Sequence, residues 1–195
     1  MLDLIIKNGE CYIDGNLQKV DIAIKDGSIH KIGKIDEEAN EIYDAQNQTV
    51  LPGCIDTQTH FREPGSTDTE DLHSGSRAAI VGGITAVFEM PNTNPPTSNK
   101  KEFQRKLDLA KNRMYCNYAF YFGATADNAN ELADLKNLEG CCGIKLFAGS
   151  STGNLLVANE KDIETVFQNA SKVVSVHSED EEILIRNKFT PSMEE

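Results

Sequence analysis

Residues 50–65, VLPGCIDTQTHFREPG, place a short apolar run directly before a polar segment in which ligand-type side chains alternate. If the run is a strand, Gln58 and His60 point to the same side of it. The carboxyl end of a strand is where a parallel α/β barrel places groups that hold a metal or orient a substrate. Gln58 is an unusual member of such a pair, because an amide oxygen is a weaker zinc ligand than an imidazole nitrogen.

Short apolar runs alternate with amphipathic stretches from residue 49 onward, which is typical of consecutive βα units and a parallel sheet. The five predicted strands are 49–56, 84–91, 116–123, 140–147 and 172–177. None shows clean polar alternation, so we expect each to be buried on both faces. Predicted helices end at Gly82-Gly83, begin at the caps Asn99 and Asn159, and span 180–188. The fold class predicted is α/β, as a partial (β/α)8 TIM barrel.

Residues 1–50 form a different, β-rich segment in which two alternating runs meet at a predicted hairpin turn, Asp26-Gly27. We therefore predict two domains, a small β domain over 1–50 and the first five βα units of a barrel over 51–195. A complete barrel needs about 250 residues, and five units leave an unpaired strand edge. The 195-residue chain is accordingly expected to be an amino-terminal fragment, prone to aggregate alone.

The composition is that of an ordinary globular protein, with 39% hydrophobic and 26% charged residues. A net charge of −12 without a basic stripe argues against binding to nucleic acid or to an anionic membrane. No apolar run approaches the roughly 20 residues needed to span a bilayer, and the amino terminus does not have the pattern of a signal peptide. The five cysteines show no CxxC spacing, which favours reduced thiols and a cytoplasmic location.

Three polar side chains, His60, Lys145 and His177, fall at the carboxyl ends of three predicted strands, the barrel face on which chemistry is built. Singly, a histidine is more often a solvated or packed group, and a strand lysine is usually a snorkelling charge. The snorkelling interpretation does not suit Lys145, because its strand is predicted to be buried and an unpaired ammonium is costly there. The glycine-rich segment 149–155 lacks the P-loop pattern and is assigned to a loop on the same side.

Four motifs in fixed order carry a family resemblance: DTQTHFREPG at 56–65, SGSRAAIVGGITAVFEMPNTNPP at 74–96, GIKLFAGSSTG at 143–153 and SVHSED at 175–180. With them the chain resembles the dihydroorotases of the amidohydrolase superfamily over about residues 2–185. The resemblance implies a (β/α)8 barrel with a small β-sandwich domain, of which residues 1–50 would be the amino-terminal part.

The resemblance also implies a zinc hydrolase with one or two metal ions. His60, Lys145 and His177 would be metal ligands, with Lys145 carried as a carbamate whose two oxygens are anionic. Gln58 stands where a further ligand would be expected. No catalytic residue is assigned within the chain, because the implied aspartate of the eighth strand and a sixth-strand histidine are expected beyond Glu195.

For the substrate, the resemblance implies that Arg62 and Asn92 bind the carboxylate of dihydroorotate. The reaction would be reversible hydrolysis to N-carbamoyl-L-aspartate in de novo pyrimidine biosynthesis. Considered alone, Arg62 could instead form a surface ion pair with Glu63 or another neighbour, and Asn92 could shape the turn at 91–96. Together they favour a dihydroorotase over other cyclic amidohydrolases.

Two alternatives stay open. A hydantoinase- or allantoinase-type hydrolase would share most of the motifs. A catalytically inactive dihydroorotase-like scaffold for aspartate transcarbamoylase is favoured by Gln58, whereas Lys145, His177, Arg62 and Asn92 oppose it. The expected partners are a small-molecule substrate and either further copies of the chain or aspartate transcarbamoylase.

Overall fold

The computed structural model describes residues 1–46, 48–149 and 154–188. The chain divides into two compact units, Met1–Gly53 and Cys54–Glu195. None of the helices in the described ranges is long and apolar enough to cross a membrane.

The first unit consists of short strands in two small sheets. Its described strands are β1 Leu2–Lys7, β2 Glu10–Ile13, β3 Asn16–Lys19, β4 Asp21–Lys25, β5 Ser28–Gly33, β6 Ala39–Asp44 and β7 Thr49–Val50. One sheet has the order β5-β4-β1-β6 and the other β3-β2-β7. The predicted hairpin is confirmed, since β4 and β5 pair antiparallel and Asp26 and Gly27 both have positive φ angles, 51° and 71°, as the tight hairpin turn requires.

The second unit is built on a curled sheet of parallel strands, half of a barrel. Its described strands are β8 Cys54–Thr59, β9 Ile84–Glu89, β10 Asn117–Gly123, β11 Cys141–Phe147 and β12 Val174–His177. They lie in the order β12-β11-β10-β9-β8, and every neighbouring pair is parallel. The predicted α/β fold class, with successive strands of a partial barrel, is confirmed.

Three described α-helices lie in the connections between these strands, and a fourth follows β12. They are α1 Leu72–Val81, α2 Lys100–Ala110, α3 Glu160–Asn169 and α4 Glu181–Asn187. The predicted caps are confirmed: the Asn99 side chain accepts from the Glu102 N–H at 2.9 Å, the Asn159 side chain also caps its helix, and Gly82 ends α1.

The connection between β10 and β11 differs from the others, because it is a 3-10 helix, Ala129–Asn137. Its three buried residues are Ala129, Leu132 and Leu135. A spacing of three residues places side chains on one line of a 3-10 helix, whereas an α-helix would rotate them apart. The apolar spacing therefore matches the tighter helix.

Burial of the strands follows their place in the sheet. In β11, which has a strand on each side, every residue is buried or half-buried, as predicted. In β8, by contrast, the residues from Cys54 to Gln58 are exposed, and Ile55 is 57% exposed. The expectation that all five strands are buried on both faces is wrong for β8 and for β12, where Val176 is 37% exposed, because each has a single hydrogen-bonded neighbour in the described sheet.

A buried ion pair joins α2 to the end of β9. Lys106, with 0% exposure, contacts the Glu89 carboxylate and donates a hydrogen bond to the Met90 carbonyl at 2.9 Å. Burial raises the pKa of Glu89 to about 7, against the opposing effect of Lys106. Burial likewise lowers the pKa of Lys106. The pair therefore fixes the end of β9, after which the segment 91–97 begins.

Candidate functional site

A cleft of about 590 Å³ opens at the carboxyl ends of the parallel strands. It is lined by all six residues that the sequence predicts for the site: Gln58, His60, Arg62, Asn92, Lys145 and His177. The convergence follows from topology, since parallel strands bring their carboxyl ends to one edge of a sheet. Four further lining residues were not foreseen: Phe147, Leu156, Glu181 and Lys188.

His60 directly follows β8 and has its Nδ1 atom 2.9 Å from the Oδ1 atom of Asn92. An amide oxygen can only accept, so His60 Nδ1 carries the proton and Nε2 keeps its lone pair. Burial, and next the positive charge of Arg62, lower the pKa of His60. A neutral imidazole oriented through one nitrogen is the arrangement in which histidine binds a metal through the other.

Lys145 lies on β11 and is only 2% exposed. Its Nζ atom is 5.1 Å from the centroid of the Phe147 ring and makes no hydrogen bond or ion pair with any described residue. Burial lowers the pKa of Lys145, because a charged amine is costly away from water. The snorkelling interpretation is therefore wrong, since the side chain is almost wholly buried and lines the cleft.

His177 is the last residue of β12, and its Nε2 atom lies 2.6 Å from Oε2 of Glu179. Its ring is also 6.0 Å from that of Phe147. The sequence pattern did not predict Glu179 as part of the site. The signal that could have found this contact is the spacing of two residues, which lets a carboxylate reach back to an imidazole at the end of a strand.

Gln58 and His60 both line the cleft, in keeping with their alternation along the chain. The Gln58 side chain makes no hydrogen bond with the described residues. Within those residues, moreover, no three His, Cys, Asp or Glu side chains are grouped closely enough to hold a metal ion. The residues at 150–153, in the loop expected on this side, lie outside the described ranges.

Arg62 lines the cleft without an ion pair to any described residue. The alternative in which it pairs with Glu63 is wrong, because the Glu63 carboxylate binds both terminal nitrogens of Arg113, at 2.7 and 3.1 Å. The guanidinium of Arg62 therefore remains available to an anion that enters the cleft.

Asn92 does not shape its turn through its side chain, contrary to the second alternative. Its amide oxygen accepts from His60, while the turn is closed by Thr93, whose hydroxyl donates to the Pro95 carbonyl at 2.9 Å. The amide nitrogen of Asn92 makes no hydrogen bond with the described residues. A hydrogen-bond donor is thus left in the cleft that Arg62 also lines.

A half-barrel of parallel strands with imidazole and amine groups at its carboxyl edge has the architecture of the TIM-barrel hydrolases. Residues 49–182 match the Amidohydrolase family, and the chain belongs to it. The family predicted from the sequence is confirmed.

The chain is also similar to three individual proteins. The chain is 36% identical over 188 residues to a dihydroorotase of Methanosarcina mazei, a match covering 94% of this chain and 41% of that protein. It is 38% identical over 149 residues to an allantoinase of Escherichia coli, covering 76% of this chain and 33% of that protein. An L-hydantoinase (dihydropyrimidinase) from Arthrobacter aurescens superposes with a TM-score of 0.88 at 29% identity, covering 95% and 43% of the two chains. The chain spans about two-fifths of the length of the dihydroorotase it matches.

Proposed function

We propose that the protein is a metal-dependent cyclic amidohydrolase that opens the ring of dihydroorotate reversibly to N-carbamoyl-L-aspartate. The observation that carries the proposal is the composition of one cleft. His60, Lys145 and His177, which suit a metal, line the same cleft as Arg62 and Asn92, which suit a carboxylate. The match to a dihydroorotase over 94% of the chain supports the choice of substrate.

The metal-binding half of the cleft would hold a divalent ion through His60 and His177, with Lys145 converted to a carbamate. The observation that fits this role is the buried Lys145 amine, which has no anionic partner among the described residues. As an ammonium it would repel a metal, whereas a carbamate offers two anionic oxygens. When bound, a divalent ion would act as a Lewis acid on the ring amide.

The carboxylate half uses Arg62 and Asn92. A planar guanidinium donates two parallel hydrogen bonds to a carboxylate, and the amide nitrogen of Asn92 can add a third. In a chain of net charge −12, the cleft nonetheless carries the cationic groups of Arg62 and Lys188 against one carboxylate among its described lining residues, that of Glu181. An anionic cyclic amide is the substrate that this distribution favours.

Replacing Arg62 with lysine in the full-length protein should raise KM for dihydroorotate on the order of tenfold, although the charge is kept, because an ammonium cannot form the paired hydrogen bonds. Steady-state kinetics would measure the change. Arg105→Lys on the exposed side of α2 is the matched control and should behave like the parent. Unaltered kinetics in Arg62→Lys would remove this residue from the substrate site.

A second candidate function, hydrolysis of allantoin or a hydantoin, is favoured by the allantoinase relative and by the fit to the L-hydantoinase structure. The deciding experiment is an assay of the metal-loaded full-length protein on dihydroorotate, allantoin and hydantoin side by side. We expect turnover of dihydroorotate. Turnover of either other ring with none of dihydroorotate would establish the second candidate, and no turnover of any would favour the inactive scaffold that binds aspartate transcarbamoylase.

Replacing Gln58 with histidine should raise the metal bound per chain, because an imidazole nitrogen binds zinc more strongly than an amide oxygen does. Metal content after exhaustive dialysis of the full-length protein would be measured by mass spectrometry. Gln104→His, which adds a histidine on the exposed surface of α2, controls for nonspecific binding. Equal metal content in parent and Gln58→His would count against Gln58 as a ligand position.

A further inference from the structure

We propose that Glu63 and Arg113 are positioning residues that fix the backbone of Arg62 and thereby the place of its guanidinium in the cleft. The inference deepens the proposed function and rests on it in one respect, namely that Arg62 receives the substrate carboxylate. Neither positioning residue lines the cleft, and they act through the chain on which Arg62 stands.

The conformation of Arg62 requires such support. Its φ angle is 60°, in the left-handed region that residues other than glycine rarely adopt. A residue is kept there only when the surrounding structure holds it. The Arg62 side chain cannot provide that hold, since it makes no hydrogen bond or ion pair with any described residue. Its position is therefore set by the backbone, and so by its neighbours in sequence.

Glu63 is the neighbour that is held. It is 7% exposed, and its carboxylate accepts three hydrogen bonds. Oε2 accepts from the Leu72 backbone N–H at 2.9 Å, and the two carboxylate oxygens accept from the two terminal nitrogens of Arg113 at 2.7 and 3.1 Å. One side chain thus joins the segment after β8 to the first residue of α1 and to the segment after α2.

Arg113 is a suitable anchor, because it is itself fixed to the end of α2. Its Nη1 atom also donates to the Leu109 carbonyl at 3.1 Å, and its backbone N–H donates to the Ala110 carbonyl at 3.0 Å. Ala110 is fully buried in the core. The bidentate contact to Glu63 therefore starts from a rigid helix end, and only a guanidinium can make it.

The far side of the same segment is also fixed. The Asn94 backbone N–H donates to the Pro64 carbonyl at 2.9 Å. A side chain on Gly65, whose φ is 123°, would come within 2.9 Å of the Asn94 Cβ atom, so the two segments are in close contact. With the residues that follow Arg62 held at both Glu63 and Pro64, the guanidinium is presented at a defined point in the cleft that Asn92 also lines.

The experiment compares Arg113→Lys and Glu63→Gln in the full-length protein, each alone and combined with Arg62→Lys, with Arg105→Lys as the matched control. Arg105 is also paired with a glutamate, Glu102, but on the exposed surface of α2. In the parent background we expect KM for dihydroorotate to rise on the order of tenfold for each variant of the pair, with metal content unchanged. In the Arg62→Lys background the same changes should have little further effect, because the group they position is already gone.

A second readout does not depend on the substrate. Amide hydrogen exchange of the peptide covering residues 60–66 should be faster in Arg113→Lys and Glu63→Gln than in the parent, and unchanged in Arg105→Lys. If dihydroorotate is not a substrate, the proposed function fails while this measurement still decides the positioning role. Unchanged exchange in both variants would overturn the proposal, as would an equal rise in KM in both backgrounds, which would indicate a purely structural pair.

Discussion

Replacing Lys145 with alanine in the full-length protein is expected to remove most of the bound metal and nearly all hydrolysis of the cyclic amide. The reason is the setting of this side chain, which is 2% exposed with no anionic partner among the described residues. A carbamate there would contribute two anionic ligand oxygens, and alanine contributes none. Metal analysis and turnover of the purified variant are the measurements, with Lys100→Ala on the exposed surface of α2 as the control.

Two further observations would separate a carbamate from an ordinary lysine. Intact-protein mass spectra under gentle conditions should show a carbon dioxide adduct that acid removes, and short carboxylic acids should restore part of the activity of Lys145→Ala. A lysine with only a packing role predicts a loss on the order of 1 kcal/mol of stability with metal content intact. Full metal occupancy and near-normal turnover in Lys145→Ala would therefore exclude Lys145 from the metal site.

Replacing Lys106 with methionine should lower the free energy of unfolding by about 3–5 kcal/mol at pH 8.5, because it leaves the buried Glu89 carboxylate without its partner. Denaturant unfolding of the full-length protein would measure the loss. Lys101→Met, at an exposed position of the same helix, should stay within about 0.5 kcal/mol of the parent. The double variant Lys106→Met with Glu89→Gln should recover much of the loss, since no unpaired charge remains buried.

The pH dependence of the loss follows from the shifted pKa values. Burial raises the pKa of Glu89 from 4.5 to about 7, so the folded state favours the neutral form of this side chain. The resulting contribution of Glu89 to stability is fully present below pH 4.5 and is lost as the pH rises through 7. In Lys106→Met no ammonium opposes the effect of burial on the pKa of Glu89, so this pKa should rise further. Stability should then continue to fall above pH 7. The lowered pKa of Lys106 makes the parent more stable toward alkaline pH, and the variant lacks this contribution. The loss should thus be larger at pH 8.5 than at pH 6, and equal losses would show that the charge on Glu89 is not its cause.

The sequence pattern was sufficient to predict the fold class and part of the cleft for one physical reason, whereas Arg62 and Asn92 were predicted from the family resemblance. Alternation along a strand and the shared carboxyl edge of parallel strands are local and topological rules, and they place His60, Lys145 and His177 without any knowledge of packing. The predicted caps Asn99 and Asn159 are confirmed on the same basis, because a cap is decided within a few residues.

The partners of the charged side chains could not be predicted in the same way. Glu63 pairs with Arg113 across 50 positions of sequence rather than with the adjacent Arg62. Lys106 is fully buried although it stands in a helix with many charged residues, because α2 packs it onto Glu89 at the end of β9. The partner of a charged side chain depends on which helix covers which strand and on how deeply the side chain is buried. This information lies in tertiary packing rather than in the local sequence pattern.

The hydrogen bond between His60 and Asn92 makes the two halves of the cleft thermodynamically interdependent. The planar amide of Asn92 has its oxygen engaged by the imidazole and its nitrogen left to a carboxylate. When that nitrogen donates a hydrogen bond to a carboxylate, the amide oxygen becomes more negative. The hydrogen bond from His60 Nδ1–H to this oxygen is then stronger, and the basicity of His60 Nε2 rises. If the cleft binds both ligands as proposed, linkage requires reciprocity: by whatever factor an anion bound by Asn92 tightened metal binding at His60, the metal would tighten the binding of that anion.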